Sequence, residues 1–237
     1  MNGFERAALP LKAIRALRDR GPSYAWHKAM RRSFGRWPSI KRRLLYADPR
    51  SYWTLRGGDE YFREQEGQPA RTARSQWMAT RIAAYEPISI LEIGCGYGKQ
   101  LRSLRSLVTC PLVGLDFSGS QLQLATRYLE DLPRVSLVQG GGDRLPFPDQ
   151  SFDLVLTSAV ILHNPPEVAE QIRREILRVG RRWAAHNEDL DVTYNRYGYD
   201  TAAWYEERGY ELAEKGPIPV DPTGSPSQFS VAKLCRS

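Results

Sequence analysis

At 237 residues, with 41% apolar and 26% charged side chains, the chain can bury one substantial core plus an extension but not two full domains. Residues 1–50 hold 13 Lys and Arg against Glu5, Asp19 and Asp48, whereas the remainder hold 21 against 24 acids, so the overall charge of +7 describes an appendage and not the body. No run of about 18 apolar residues is present to span a bilayer, and the first residues lack the apolar segment of a secretory signal. Cys95, Cys110 and Cys235 are odd in number and scattered, without a C-x-x-C pair; this argues against a disulfide framework or a metal site and suits a cytoplasmic protein.

In chain order, residues 9–20 and 26–34 read as short basic helices broken by Gly21-Pro22, with Pro38 ending the second. Residues 52–66 follow with no clear period, and a helix is predicted over about 70–86. From there short apolar runs alternate with helical segments, the pattern of a parallel sheet covered on both faces. Strands are predicted at 89–94, 111–116, 135–140, 152–160 and 183–186, with helices at 98–107, 118–132 and 165–181. Pro165 and Pro166 open the last of these helices, where a missing N–H costs little. A Tyr-rich loop (Tyr194, Tyr197, Tyr199), a helix over 200–208 and two strands near 210–215 and 228–234 complete the chain.

The segment Leu91-Glu92-Ile93-Gly94-Cys95-Gly96-Tyr97-Gly98 carries the most information. A buried strand runs into a turn with alternating glycines, where the backbone can close on a ligand, and a helix leaves it with free amides. The spacing is G-x-G-x-G, and Lys99 stands where a dinucleotide fold places its third glycine. No G-x-x-x-x-G-K-[ST] is present either, so phosphate cradling is disfavoured. Asp116 closes the second strand, 22 residues beyond Gly94, where a carboxylate can accept both hydroxyls of a ribose; capping the next helix is the plainer alternative. Glu92 lies inside the first strand, a poor place for a carboxylate without a task.

The segments ILEIGCGYG, GLDFS, LPFPDQSFDLVLTSAV and IRREILRVGRR resemble, in order, the motifs of class I S-adenosylmethionine-dependent methyltransferases over about residues 70–237. The resemblance implies a Rossmann-like α/β fold: a seven-stranded mixed sheet of order 3-2-1-4-5-7-6 with strand 7 antiparallel and helices on both faces. It divides the chain into a basic, mostly helical N-terminal arm (1–69) and a cofactor domain (70–237). It implies S-adenosylmethionine as cofactor, with S-adenosylhomocysteine as product. Glu92, Gly94, Gly96 and Gly98 would surround its methionine part and Asp116 its ribose. The candidate cofactor-binding set is Glu92, Gly94, Cys95, Gly96, Gly98, Asp116, Phe117, Gly142, Asp143 and Ser158. One departure stands out: Gly141 occupies the position where the family usually places an acid on the adenine amino group, leaving Asp143 or backbone alone for that contact.

Methyl transfer asks the protein to align an acceptor and, for a hydroxyl, to remove a proton. His186 and His163 follow the fifth and fourth strands and are the candidate general bases, with Glu188 or Asp189 orienting His186. Packing against the cofactor is the alternative for His163. His27 reads as a surface residue, and the three tyrosines of the loop read as an aromatic wall or as simple packing. Asn164-Pro165-Pro166 resembles the N-P-P-aromatic motif of amino-group methyltransferases, but Glu167 replaces the aromatic and the triplet reads as a helix start.

The sequence therefore predicts methylation of a hydroxyl, less readily an amine, on a small-molecule acceptor of anionic or sugar-like character. An RNA methyltransferase clamped by the basic arm and a non-catalytic cofactor-binding module are the alternatives. For the arm itself, three roles stay open: contact with an anionic membrane, contact with RNA or an anionic substrate, and service as a lid or homodimer arm.

Overall fold

Ile90, Leu91, Glu92 and Ile93, all buried, form the central strand β1 in the computed structural model, which describes residues 21–30, 37–219 and 227–235. The other strands are β2 (Leu112–Asp116), β3 (Val135–Gln139), β4 (Phe152–Ser158), β5 (Gly180–Asp189), β6 (Leu212–Pro217) and β7 (Ser227–Lys233). They lie in the order β3-β2-β1-β4-β5-β7-β6. Pairing is parallel from β3 through β5, and β7 runs antiparallel to both β5 and β6. This is the order and the reversed strand that the resemblance implies.

Successive residues of each strand enter opposite cores. Ile90, Leu112 and Leu154 face Met78 and Ile82 of helix α5 (Pro69–Ala83) and Leu101 of α6 (Lys99–Arg105). Leu91, Leu115 and Val155 face Ile172 and Ile176 of α8 (Pro166–Val179) and Tyr205 of α9 (Thr201–Glu206). Two covered faces explain why these strands read as continuous apolar runs and not as polar–apolar alternation. The chain leaves β1 for β2 and β3 on one side, then crosses back to β4 on the other. The switch point between β1 and β4 opens at the carboxyl ends of the strands, where such sheets bind ligands. Helix α7 (Gly119–Tyr128) links β2 to β3.

Of the strands, β5 departs furthest from its predicted range. β5 is ten residues long, because Arg181 and Arg182 continue it while their guanidiniums pair with Asp153 of β4, fully buried, at 3.0 and 3.2 Å. Those charges break the apolar pattern that marks a strand. Helix α8 does open at Pro166, the first-turn position that tolerates a missing N–H.

The structure divides into two compact units. One comprises the described residues up to Arg56 together with Thr193–Asn195; the other holds Gly57–Val192 and the described residues from Arg196 onward. The first unit contains a helix over residues 21–30 (α1), α2 (Pro38–Leu45) and α3 (Pro49–Arg56). Gly21 has left-handed backbone (φ 82°) where the described part of α1 begins, and Pro38 opens α2. The helix predicted at 9–20 lies outside the described residues, as does the end of the one predicted at 26–34. His27 is buried at 3% exposure, its ring edge-on to Tyr52 at 4.9 Å, and is no surface residue. Helix α4 (Asp59–Glu66) belongs to the unit that holds the sheet.

Candidate cofactor and acceptor site

The glycine turn leaves β1 with left-handed backbone at Gly94 (φ 69°), Gly96 (φ 56°) and Gly98 (φ 89°). Gly94 N and Cys95 N both donate to Leu115 O, at 2.7 and 3.0 Å, which ties the turn to β2. The three glycines are required for different reasons. A Cβ at Gly94 would lie 2.5 Å from Val160 Cγ2, and one at Gly98 would lie 2.5 Å from Leu129 Cδ1. A Cβ at Gly96 would meet no protein atom within 4 Å. Packing excludes side chains at the outer two, whereas the middle glycine borders open space. Cys95 turns the other way: its Sγ would lie 2.8 Å from a Cβ at Gly114, and burial holds its thiol well above the ordinary range, so it packs and does not react.

Two acids stand beside this turn. Asp116 accepts from Gly96 N through Oδ2 (2.9 Å) and from Ser118 N through Oδ1 (2.8 Å), so one carboxylate joins the turn to the entry of α7. Burial still pushes its pKa up. Glu92 is 3% exposed, and its Oε2 is buried without a hydrogen-bond partner. Burial, followed by the charge of Asp116, pushes its carboxyl up to about 8. Phe117 is half-buried, its carbonyl accepting from Gln139 Nε2 at 3.2 Å. After β3, Gly142 passes so close to β1 that a Cβ would lie 2.7 Å from Ile93 Cγ2; Gly141 and Asp143 beside it are half-buried.

At the ends of β4 and β5 the two candidate bases part company. Thr157 donates to Glu188 Oε1 (2.9 Å) and lies 2.8 Å from His186 Nδ1. A carboxylate only accepts, so the Thr157 hydroxyl is committed to Glu188 and takes its other bond from His186 Nδ1–H. His186 Nε2 then accepts from Tyr205 OH at 3.1 Å. Both ring nitrogens are engaged, the residue is 1% exposed, and burial with the charge of Arg173 pushes its pKa down to about 3. His186 is thus enclosed by the fold, with its ring held by Thr157 and Tyr205. Nor does Glu188 orient it directly: that carboxylate accepts from the backbone N–H of Val160, Ile161 and Leu162 at 3.1–3.2 Å. It thereby fixes the short 3₁₀ turn Ile161–His163, which carries His163 at 9% exposure.

Around this turn, Ala159 takes a left-handed φ of 55°, and Ser158 Oγ accepts from Asn187 Nδ2 at 2.8 Å. Arg74 of α5 bonds Asn187 Oδ1 and pairs with Asp189, which Arg196 also meets at 2.9 Å. Asp189 therefore has two arginine partners and is not free to serve a histidine. The tyrosines divide as well. Tyr197 N donates to Leu162 O (2.7 Å), Tyr199 OH donates to Asn164 O (2.9 Å), and their rings are parallel at 6.2 Å. Tyr194 belongs to the first unit, where its hydroxyl meets Tyr52 OH at 2.8 Å.

Sequence reasoning missed Glu66, at the end of α4. It accepts from Tyr97 OH at 2.9 Å and Tyr128 OH at 3.3 Å, and it pairs with Lys99 at 3.0 Å. Tyr97 and Lys99 flank Gly98, so a helix far upstream in sequence is fastened to the glycine turn. The only signal was Lys99, which a dinucleotide reading notices merely as a missing glycine. Glu66→Ala is expected to cost about 1 kcal/mol of stability, because the pair is part-exposed, and to weaken cofactor binding roughly threefold to tenfold by loosening the turn. Thermal melting and calorimetry with S-adenosylhomocysteine on the same samples measure both effects.

The profile of a methyltransferase domain family matches residues 90–182, the stretch from β1 into β5 that carries both acids, the glycine turn and the His163 turn. That match covers less than half of the chain. The chain is 30% identical over 125 residues to the sterol 24-C-methyltransferase of Aspergillus fumigatus, covering 50% of this chain but only 33% of that enzyme. It thus spans about a third of the length of the curated relative it matches. Among solved structures, a protein from Pyrococcus horikoshii shares the fold with a TM-score of 0.62 at 17% identity, over 75% of this chain and 99% of that one. A SAM-dependent methyltransferase from Aquifex aeolicus does so with a TM-score of 0.59 at 14% identity, over 75% and 99%. The resemblance of residues 90–182 to that family implies S-adenosylmethionine as the cofactor. The residues fit it: a buried carboxylate oxygen without a partner suits an ammonium group, and the space over Gly96 admits a ligand against bare backbone.

Proposed function

We propose that the chain methylates a hydroxyl of a small, sugar-like acceptor, with Glu92, Gly94, Gly96, Gly98 and Asp116 holding S-adenosylmethionine and His163 receiving the acceptor's proton. The observation that carries the cofactor half is the pairing of open space over Gly96 with the unpartnered Oε2 of Glu92. Glu92 would take the cofactor's amino group. Asp116 uses one lone pair on each oxygen for Gly96 N and Ser118 N, which leaves acceptor capacity for ribose hydroxyls. Phe117, Gly142, Asp143 and Ser158 would line the rest, and Cys95 would contribute backbone alone. When bound, the cofactor supplies a methyl group on sulfonium, already paired with a good leaving group.

The acceptor half rests on His163. His186 is neutral and enclosed, whereas His163 sits on the turn next to Val160, which packs over Gly94. Glu188 fixes that turn through three backbone bonds and so acts as a positioning residue. Against the RNA alternative, two cations of the basic region serve their own unit: Lys41 lies over the Tyr194 ring at 4.4 Å, and Arg42 bonds the carbonyls of Thr193 and Tyr194. Three free cysteines, two of them buried, agree with a cytoplasmic setting. A second reading has one observation in its favour: the relative named above is called a sterol methyltransferase, which favours an apolar acceptor and transfer to carbon.

Incubation with methyl-labelled S-adenosylmethionine and three cell fractions (polar small molecules, lipids, total RNA) separates these readings. Label in the polar fraction is expected; label confined to lipid or to RNA would transfer the assignment to the corresponding alternative. With that acceptor, His163→Asn is expected to lower kcat on the order of 100-fold or more, with cofactor affinity kept within about threefold. An unchanged kcat would leave His163 a packing residue.

A further inference from the structure

Helix α2 (Pro38–Leu45) has one face fixed by its own unit and another that carries large, exposed apolar side chains. Leu45 is buried, Arg42 reaches the Thr193 and Tyr194 carbonyls, and Lys41 lies over the Tyr194 ring. These contacts set the rotation of the helix. On the side they leave outward, Trp37 at its N-terminus is 58% exposed, Ile40 44% and Leu44 45%. At 100° per residue the three fall within an arc of about 60°, with Lys41 on one flank and the exposed Arg43 on the other. Trp26, 51% exposed on α1, adds another large apolar ring to the same unit. An exposed stripe of Trp, Ile and Leu at i, i+3 and i+7, within a region of 13 Lys and Arg and three acids, is a surface suited to docking.

We infer that this face seats the chain peripherally on an anionic lipid surface, with Trp37, Ile40 and Leu44 entering the interface between headgroups and acyl chains. Charge selects this occupant over a second copy of the chain, since two like-charged regions repel while an anionic bilayer attracts. The aliphatic side chains select it over RNA: Ile40 and Leu44 have no π face on which a base could stack, but both partition into a bilayer interface. No described helix is long and apolar enough to cross a membrane, so the contact is one of lying on the surface.

The test is sedimentation of the full chain with vesicles of mixed phosphatidylserine and phosphatidylcholine, against vesicles of phosphatidylcholine alone. Binding to the anionic vesicles, weakened by high salt, is expected. It should fall roughly tenfold or more in the triple variant Trp37→Gln/Ile40→Gln/Leu44→Gln. All three positions are exposed, so the variant should keep its circular dichroism and its affinity for S-adenosylhomocysteine. Absence of binding to anionic vesicles, or a triple variant that binds them as tightly as the parent, would overturn the inference. So would a parent that ignores vesicles but forms a dimer, or an RNA complex, that the variant abolishes. No methyl transfer enters the readout, so this inference stands or falls separately from the function proposed above.

Discussion

Gly96→Ala is expected to fold and to lose S-adenosylhomocysteine binding by about 100-fold or more, whereas Gly98→Ala is expected to lose much of its stability. Both positions have left-handed backbone, so either alanine carries strain of roughly 1–2 kcal/mol. The neighbours decide the rest. The new methyl at 98 falls 2.5 Å from Leu129 Cδ1 and 3.0 Å from its Cγ, inside a core where Leu129 is 5% exposed. Strain and overpacking together amount to roughly 2–5 kcal/mol, a large part of a domain's margin. The methyl at 96 meets nothing of the protein, so it projects into the volume that we assign to the cofactor. Thermal melting should show a shift of a few degrees for Gly96→Ala and a much larger one for Gly98→Ala. A Gly96→Ala protein that binds as tightly as the parent would place the ligand elsewhere.

Cofactor affinity should also rise with pH, by up to tenfold per unit from about pH 6 to about 8, and then level off. Glu92, with its carboxyl pushed up to about 8 by burial and by Asp116, is protonated in the free protein near neutrality. An ammonium group brought to Oε2 favours the ionised form, so binding releases a proton and is opposed by acid. For folding the sign is the reverse of a paired surface acid. The folded state holds the Glu92 proton more tightly than the unfolded chain, so this residue's contribution makes the free protein less stable as pH rises from about 4.5 to about 8. Glu92→Gln should flatten both dependences and weaken binding roughly tenfold to 100-fold, because a neutral amide replaces a buried charge partner. Calorimetry across that range, repeated in buffers of different ionisation enthalpy, counts the proton. Affinity independent of pH in the parent would remove Glu92 from the ammonium site.

The sheet was legible because its strands are buried on both faces, and a run such as Leu154–Leu156 has no other economical reading. The glycine turn was legible for a related reason: repeated loss of Cβ beside a strand end leaves a pattern in sequence that packing alone rarely produces. What could not be read was pairing across distance. Nothing in the order of residues says that Glu66 reaches Tyr97 and Lys99, or that Glu188 faces the 160–162 amides and not His186. The two histidines looked alike because both follow a strand. They differ because Thr157 and Tyr205 close on both nitrogens of one ring, a fact of side-chain register between β4, β5 and α9. In the first unit, Pro38 was read only as the end of a preceding helix. The same residue also occupies the opening turn of α2, where its fixed φ favours the helix that follows.

Titration calorimetry of the intact chain with S-adenosylhomocysteine, beside a nicotinamide dinucleotide as control, tests the assignment of the glycine turn most directly. The account predicts one-to-one binding of the nucleoside thioether, lost on Asp116→Ala, and no heat with the dinucleotide. Silence with S-adenosylhomocysteine and saturable binding of the dinucleotide would contradict it.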